Sequence, residues 1–294
     1  MTYQHQPRNP GFLDLPPEMR DPRDSRFAVL PVPYDKTSSW QKGADKGPEA
    51  IIDASATVEW YDIQTNAESC RRGITTLPPI VCAGTPEELA DHVEAAVDSI
   101  FDREQLPIVL GGEHSVSIGA IRAAARRIKG LSVLQIDAHG DTREEYEGTP
   151  YNHACVMARA RQWCPIVQVG IRAIDASEAE GMDTDRVFFA HNIVQNVDTS
   201  WMDRAIDLLS DDVYITIDLD AFDPSLIPAT GTPEPGGLTW GDVDRFLQRV
   251  TARRRIAAFD VVELLPMPGH HASAFTAAKL VYRVISMIVA HEPT

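Results

Sequence analysis

The fold is decided by a ten-residue stretch, 132–141, which reads SVLQIDAHGD. Its first five residues are mostly aliphatic, as expected for a strand that is covered on both faces. In its second half the spacing of two puts Asp137, His139 and Asp141 on the same side of an extended segment. A buried strand that ends in such side chains is typical of a parallel sheet, because ligands bind at the carboxyl ends of parallel strands.

Working outward from this stretch, apolar runs alternate with helical patterns along the chain. The predicted strands span residues 27–32, 107–110, 132–136, 166–169, 187–190, 213–217 and 256–262. Helices are predicted to start after Thr85 and Thr239, each followed three residues later by an acidic residue that completes a capping box. A last helix is predicted at about 273–290. This alternation predicts an α/β fold, with three αβα layers and a mostly parallel central sheet.

The domain organisation follows from the absence of any repeat, low-complexity tract or Gly/Ser linker in the sequence. Residues 1–294 are therefore predicted to form a single domain, with residues 1–25 as an irregular N-terminal extension. Residues 219–238 are predicted to form a long loop rich in proline and glycine. Loops of that length in a compact domain are usually functional.

Composition and charge exclude several classes of protein. The net charge is −16, which would repel a nucleic-acid backbone, so no nucleic-acid partner is expected. No signal peptide is visible, and the longest apolar stretch, 280–290, contains Arg283 and is too short to span a bilayer. The four cysteines show no disulfide-type spacing and are expected to be reduced. We therefore predict a cytoplasmic protein that does not enter a membrane.

Ligand-type side chains follow three of the predicted strands. They are His114, Asp137, His139, Asp141, Asp218 and Asp220. Four buried carboxylates would repel one another without a cation, so a divalent metal is expected. Ligation mainly by carboxylates favours manganese over zinc, and six ligands suit a pair of ions. Each motif alone could instead be structural, for example as caps of turns, but their joint placement favours a metal site.

Three motifs carry a resemblance to a known family. They are GGEHS at 111–115, DAHGD at 137–141 and DLDAFDPS at 218–225. These resemble the signature motifs of the arginase and agmatinase ureohydrolases, and the match runs in order over 31–268, including TGTPEPGGL at 230–238. The resemblance implies an arginase-like fold, hydrolysis of a guanidino compound to urea and an amine, two Mn²⁺ per subunit, and a homotrimer or homohexamer.

The resemblance also implies how the ligands are shared. One ion would be held by His114, Asp137, Asp141 and Asp218. The other would be held by His139, Asp137, Asp218 and Asp220. Asp137 and Asp218 would then each bridge both ions.

Further residues acquire roles from the same resemblance. His153, in YNHAC at 151–155, resembles the family histidine that shuttles protons, although alone it would suit a surface loop. Glu263 resembles the carboxylate that pairs with the substrate guanidinium, although alone it could be a solvated strand end. Asp141 is expected to accept a proton during catalysis as well as to bind metal. Thr232 is expected to contact the substrate.

The predicted substrate is agmatine, because residues 143–155 look more like agmatinases than arginases, whose segment at that histidine usually reads His-Gly. Its amine product would serve polyamine biosynthesis. Guanidinobutyrate, free guanidine and arginine stay open as substrates. Gly140 departs from relatives, which commonly carry a larger residue there, so the pocket shape is expected to differ.

Two rival classes also stay open. A non-catalytic regulatory homologue is disfavoured, because all six ligand positions are filled. A mono-zinc deacetylase on a related fold is disfavoured too, since one ion has no use for both His114 and His139 as well as four aspartates. The number of metal ions bound per chain would separate these classes.

Overall fold

A computed structural model describes residues 11–196 and 198–292. In this part of the chain eight strands form one sheet, in the order β2-β1-β3-β8-β7-β4-β5-β6, and every pairing between them is parallel. The strands are β1 (Phe27–Val32), β2 (Ile74–Thr76), β3 (Leu106–Gly111), β4 (Ser132–Ile136), β5 (Ile166–Ile171), β6 (Val187–Phe189), β7 (Asp212–Asp218) and β8 (Arg255–Val262). All seven predicted strands are present, so the prediction of a mostly parallel sheet is confirmed.

The described residues also form nine α-helices. They are α1 (Gly47–Ser55), α2 (Pro86–Asp102), α3 (Val116–Arg127), α4 (Val156–Ala160), α5 (Ala176–Glu180), α6 (Ala190–Val194), α7 (Ser200–Asp207), α8 (Trp240–Arg253) and α9 (Ala272–His291). The predicted capping boxes exist at both helix starts. Thr85 caps α2 with Glu88, and Thr239 caps α8 with Asp242. These caps bind backbone N–H groups that have no partner within the helix.

Helices cover both faces of the sheet, because successive side chains of each strand point to opposite sides. In β3, Ile108 and Leu110 pack into the core that contains α1, α7, α8 and α9. Val109, between them, packs into the core formed with α2, α3 and α4. The predicted three-layer αβα arrangement is therefore confirmed.

One strand was missed and one local prediction is wrong. The edge strand β2 was not predicted, because its three residues, ITT, are too few to show a period. Ala190 was predicted as the end of a strand, but it begins α6. Of the predicted N-terminal extension, residues 1–10 lie outside the described residues. The rest includes two 3-10 helices, Phe12–Asp14 and Pro17–Met19.

Helix α9 is long and apolar enough, by length and composition alone, to cross a membrane. In this fold 67% of the most apolar 18-residue stretch of α9 is buried against the rest of the protein. The helix packs on α1 and α8. Its buried Arg283 forms ion pairs with Asp62 at 2.9 Å and with Asp244 at 2.8 Å. Such burial is typical of the core helix of a globular domain.

Candidate active site

The predicted metal ligands and Glu263 meet at the carboxyl ends of four neighbouring strands, β3, β8, β7 and β4. Strands β3 and β4 are consecutive along the chain, but β8 and β7 lie between them in the sheet. This reversal of strand order opens a crevice, which is where ligands bind in open α/β sheets. His114 follows β3, Asp137 follows β4, Asp218 ends β7 and Glu263 follows β8.

Three aspartates surround the buried His114. Its Nδ1 atom lies 2.9 Å from Asp141 Oδ2, 3.2 Å from Asp137 Oδ2 and 3.4 Å from Asp218 Oδ2. These distances place four predicted ligands of one ion around a single point.

A second group forms around His139. Its Nδ1 atom lies 2.9 Å from Asp220 Oδ2 and 3.8 Å from Asp137 Oδ1. Asp137 thus belongs to both groups, and the two triads His114–Asp137–Asp218 and Asp137–His139–Asp220 each bring their ligand atoms within 4.8 Å of one another. All six predicted ligands therefore lie together.

Backbone N–H groups hold one oxygen of several of these carboxylates in place. Asp137 Oδ1 accepts from His139 N–H at 2.6 Å, and Asp218 Oδ1 accepts from Asp220 N–H at 2.8 Å. Asp220 Oδ1 accepts from Ala138 N–H at 3.2 Å. In each case the other oxygen faces a histidine of the cluster. The Asp-x-His and Asp-x-Asp spacing therefore orients the ligands locally.

The negative charges of three of the four aspartates are poorly tolerated without a cation. Burial and the neighbouring Asp137 raise the pKa of Asp141 to about 7. Burial and the nearby Asp220 raise the pKa of Asp137, and the same two causes raise the pKa of Asp218 well above its usual range. Burial lowers the pKa of His139, but the charge of Asp220 outweighs it and raises that pKa to about 11.

The donor set fits divalent metal ions. Among the described residues, His114 Nδ1 is a buried atom without a hydrogen-bond partner of good geometry, although three carboxylate oxygens surround it. An unpartnered imidazole nitrogen facing carboxylate oxygens is the arrangement that a bound cation completes. The His and Asp groups of this site could therefore bind metal.

Two acidic residues of the site have strained backbones. Asp141 has φ 54° and Glu263 has φ 66°, in the left-handed region that favours glycine. Such conformations cost about 1–3 kcal/mol each and occur often at functional sites. With these backbone conformations, both residues line the same cavity of about 280 Å³.

Glu263 lines this cavity. Its Oε1 accepts a hydrogen bond from His114 N–H at 2.7 Å. Burial and the negative charge of Glu113 raise the pKa of Glu263 well above its usual range. Glu263 is thus a buried carboxyl group rather than the solvated strand end that its position alone allowed. Thr232 lines the same cavity.

His153 also lines the cavity. Its Nε2 atom lies 3.1 Å from Ser39 Oγ, and its backbone N–H donates to Thr37 Oγ1 at 3.0 Å. Burial and the nearby charges of His114 and His139 lower the pKa of His153 to about 4. The structure therefore brings His153 to the predicted site instead of to a surface loop.

A group of residues at the cavity mouth was not predicted from the sequence. Arg143 lies 4.5 Å from the ring centroid of Tyr146, 3.5 Å from Glu178 and 3.9 Å from Asp175. Tyr146 in turn meets the His153 ring edge-on at 5.9 Å. The segment 143–146 belongs to the stretch that resembles agmatinases, and its charged and aromatic residues could have pointed to the mouth.

Gly140 has little room for a side chain. A Cβ atom at this position would lie 3.0 Å from Glu178 Oε1 and 3.0 Å from Ile174 Cγ2. Glu178 uses this room to accept hydrogen bonds from Thr142 N–H and Thr142 Oγ1. The missing side chain thus lets α5 approach the metal-ligand segment closely.

Comparison with known proteins matches this geometry. A family model described as the arginase family matches residues 25–286. The chain belongs to the arginase family. An N(1)-aminopropylagmatine ureohydrolase of Synechocystis sp. is 36% identical over 273 residues, covering 89% of each protein. An agmatinase of Pyrococcus horikoshii is 32% identical over 276 residues, covering 91% of this chain and 93% of that protein.

The fold is shared as well. The crystal structure of the agmatine ureohydrolase of Thermoplasma volcanium matches with a TM-score of 0.85 and 32% sequence identity, covering 94% of each chain. The predicted family, fold and enzyme class are therefore confirmed, and the protein is an arginase-family ureohydrolase.

Proposed function

We propose that this arginase-family enzyme hydrolyses a guanidino compound with a cationic amine tail, releasing urea and an amine. Agmatine is the first candidate and N1-aminopropylagmatine the second. The observation that carries the proposal is the set of acidic side chains that line the cavity, among which Glu263 is buried and Asp175 is half exposed.

Buried Glu263 suits a guanidinium group. Glu263 is buried, and a planar guanidinium offers paired N–H donors that match the two oxygens of a carboxylate. Its positive charge would also offset the repulsion between Glu263 and Glu113. A neutral substrate would leave that repulsion in place.

The mouth suits a second positive charge. Asp175, Glu178 and Glu234 line it together with Arg143, so its acidic groups outnumber its cation by three to one. Glu178 is buried beside Arg143 and offsets its charge. The Asp175 side chain is 48% exposed and can meet an ammonium group at the cavity entrance. A substrate with a carboxylate tail would meet net negative charge there and would lose hydration without recompense.

Two manganese ions are proposed as the cofactor. The residues that would hold them are His114, His139, Asp137, Asp141, Asp218 and Asp220. Oxygen-rich ligation with two imidazoles favours Mn²⁺, and such a pair, when bound, supplies a hydroxide nucleophile near neutral pH.

Other roles of the chain's residues would be to bind the substrate and to transfer protons. Glu263 holds the guanidinium with its carbon facing the ligand cluster. Asp141 accepts the proton of the nucleophile, because its carboxylate lies within the ligand cluster, 2.9 Å from His114 Nδ1. His153, whose lowered pKa leaves its ring neutral near pH 7, takes up the proton from Asp141 and passes it to the nitrogen of the leaving amine. Ser39 and Thr37 hold its ring in the cavity.

The names of the relatives favour the second candidate substrate. Four relatives that are 35–36% identical are N(1)-aminopropylagmatine ureohydrolases. Their substrate differs from agmatine by a longer cationic tail, which would extend past Asp175 into solvent.

The test is urea release by manganese-loaded protein from a panel of guanidino compounds. We expect kcat/KM for agmatine or N1-aminopropylagmatine to exceed that for arginine by about 10² or more, the scale of a difference near 3 kcal/mol. A preference for arginine, 4-guanidinobutyrate or free guanidine would contradict the amine-tail proposal. Asp175→Asn and Glu234→Gln should reduce this preference, and Glu145→Gln, at an exposed position, is the matched control.

A further inference from the structure

A buried hydrogen-bonded chain lies behind His114, on the side away from the aspartate cluster. His114 Nε2 is 2.8 Å from Thr216 Oγ1, and Thr216 Oγ1 is 2.7 Å from Asp260 Oδ1. The other oxygen of Asp260 accepts a hydrogen bond from Tyr214 Oη at 2.6 Å. None of these four side chains is more than 1% exposed, so bulk water does not reach them.

The hydrogen-bond geometry of these four side chains largely determines which atom donates and which accepts. The hydroxyl of Thr216 has one hydrogen, and its short contact with a carboxylate oxygen makes Asp260 the acceptor. Thr216 Oγ1 then has lone pairs left, and it can accept a hydrogen bond from His114 Nε2–H. That leaves His114 Nδ1 to face Asp137, Asp141 and Asp218 without a hydrogen of its own.

The strand register puts Asp260 in this place. The pairing of β7 with β8 shifts by one residue after Val213, so that Ala257 is the extra residue of a β-bulge and Asp260 lies opposite Thr216. Without the shift Phe259 would lie there. Since a slip of one residue turns every later side chain to the other face, the bulge directs Asp260 toward the layer that carries His114.

We propose that Asp260, acting through Thr216, holds His114 with its hydrogen on Nε2, so that Nδ1 is the nitrogen presented to a divalent cation. Asp260 and Thr216 are thus positioning residues. A histidine ligand commonly donates its other ring N–H to a partner that fixes its tautomer and orientation. The inference rests on the proposed role of His114 as a metal ligand.

The first test is Mn²⁺ binding by calorimetry to the purified, metal-free full chain. Thr216→Val removes the hydroxyl at nearly constant volume and should weaken the binding of one equivalent by about 10- to 100-fold. Asp260→Asn should weaken the same equivalent. Thr216→Ser keeps the hydroxyl and should bind like the wild type. Tyr214→Phe is the matched control, because it removes a donor to Asp260 but leaves the contact between Thr216 and His114.

The second test is histidine-selective ¹⁵N NMR on the wild-type protein loaded with diamagnetic Zn²⁺. We expect His114 to carry its hydrogen on Nε2, and a hydrogen on Nδ1 would overturn the proposal. Equal Mn²⁺ affinity of Thr216→Val and the wild type would overturn it as well. If Thr216→Val does not fold, the proposal is tested by the Mn²⁺ affinity of Thr216→Ser, which should equal that of the wild type, and by the NMR measurement. If the wild-type protein binds no Mn²⁺ but His114 still carries its hydrogen on Nε2, the result would contradict the metal assignment and support the fixed tautomer.

Discussion

At the scale of single residues, Glu263 combines a left-handed backbone with a buried carboxylate that lies close to Glu113. Both features oppose folding, and both would serve the proposed role of Glu263 in binding the guanidinium group. Activity and stability should therefore respond in opposite directions when this residue is changed.

We predict that Glu263→Gln stabilises the metal-free protein and lowers kcat/KM by about 10²-fold, because the guanidinium loses its charged partner. Since the folded state raises the pKa of this acid, its ionisation destabilises the fold at every pH above the pKa in the unfolded chain. The gain in unfolding free energy should be absent at about pH 4 and grow as the pH rises. Urea unfolding at several pH values measures it, and a stabilisation independent of pH would show that ionisation of Glu263 is not its cause.

His153 offers a second prediction at this scale. Its ring lies between Thr37 and Ser39 and is not within the ligand cluster, so His153→Asn should retain both metal ions. Loss of a proton donor should lower kcat by about 10². Elemental analysis and steady-state kinetics measure the two effects. An unchanged kcat across the pH profile would show that His153 takes no part in proton transfer.

At the scale of elements, α9 is tied to the rest of the fold by Arg283. Its side chain pairs with Asp62 and Asp244, and all three are buried. Arg283→Met keeps much of the packing but leaves two buried carboxylates without their cation. We expect a loss of about 3 kcal/mol in unfolding free energy.

The control for this prediction is Arg71→Ala, which removes the exposed pair of Arg71 with Glu68. It should change the unfolding free energy by no more than about 0.5 kcal/mol. Urea unfolding compares the two variants. Equal effects would show that the Arg283 pairs contribute no more than surface ion pairs.

The elements also show what could be predicted from the sequence. Long apolar strands and capped helices carry local signals, so β4 was found with its correct ends, and α2 and α8 were found with their correct starts. The β-bulge at Ala257 has no such signal, because it depends on the pairing of β7 with β8. Asp260 was visible as a lone carboxylate in an apolar run, but its partner Thr216 follows only from the register.

The mouth of the site was harder to predict for the same reason. Asp137, His139 and Asp141 are neighbours in sequence, and a spacing of two suffices to bring them together. Arg143 and Glu178 meet because α5 packs close to Gly140. The two residues are far apart in the sequence, so no local sequence pattern predicts their contact. The side chains proposed to recognise the substrate tail therefore required the structure.

At the scale of the whole molecule, the negative net charge of −16 suits a cationic substrate, since it raises the rate at which cations encounter the protein. The predicted homotrimer or homohexamer and the cytoplasmic location stay predictions. The central claim is that two ions share Asp137 and Asp218 at the junction of β4 and β7.

Metal content per chain tests this claim most directly. Elemental analysis of manganese-loaded wild-type protein should give two equivalents, and Asp137→Asn or Asp218→Asn should lose metal and urea release together while circular dichroism shows a retained fold. Because a bridging ligand contacts both ions, neither variant should keep a full pair. One equivalent in the wild type, or two full equivalents in either variant, would contradict the shared-ligand claim.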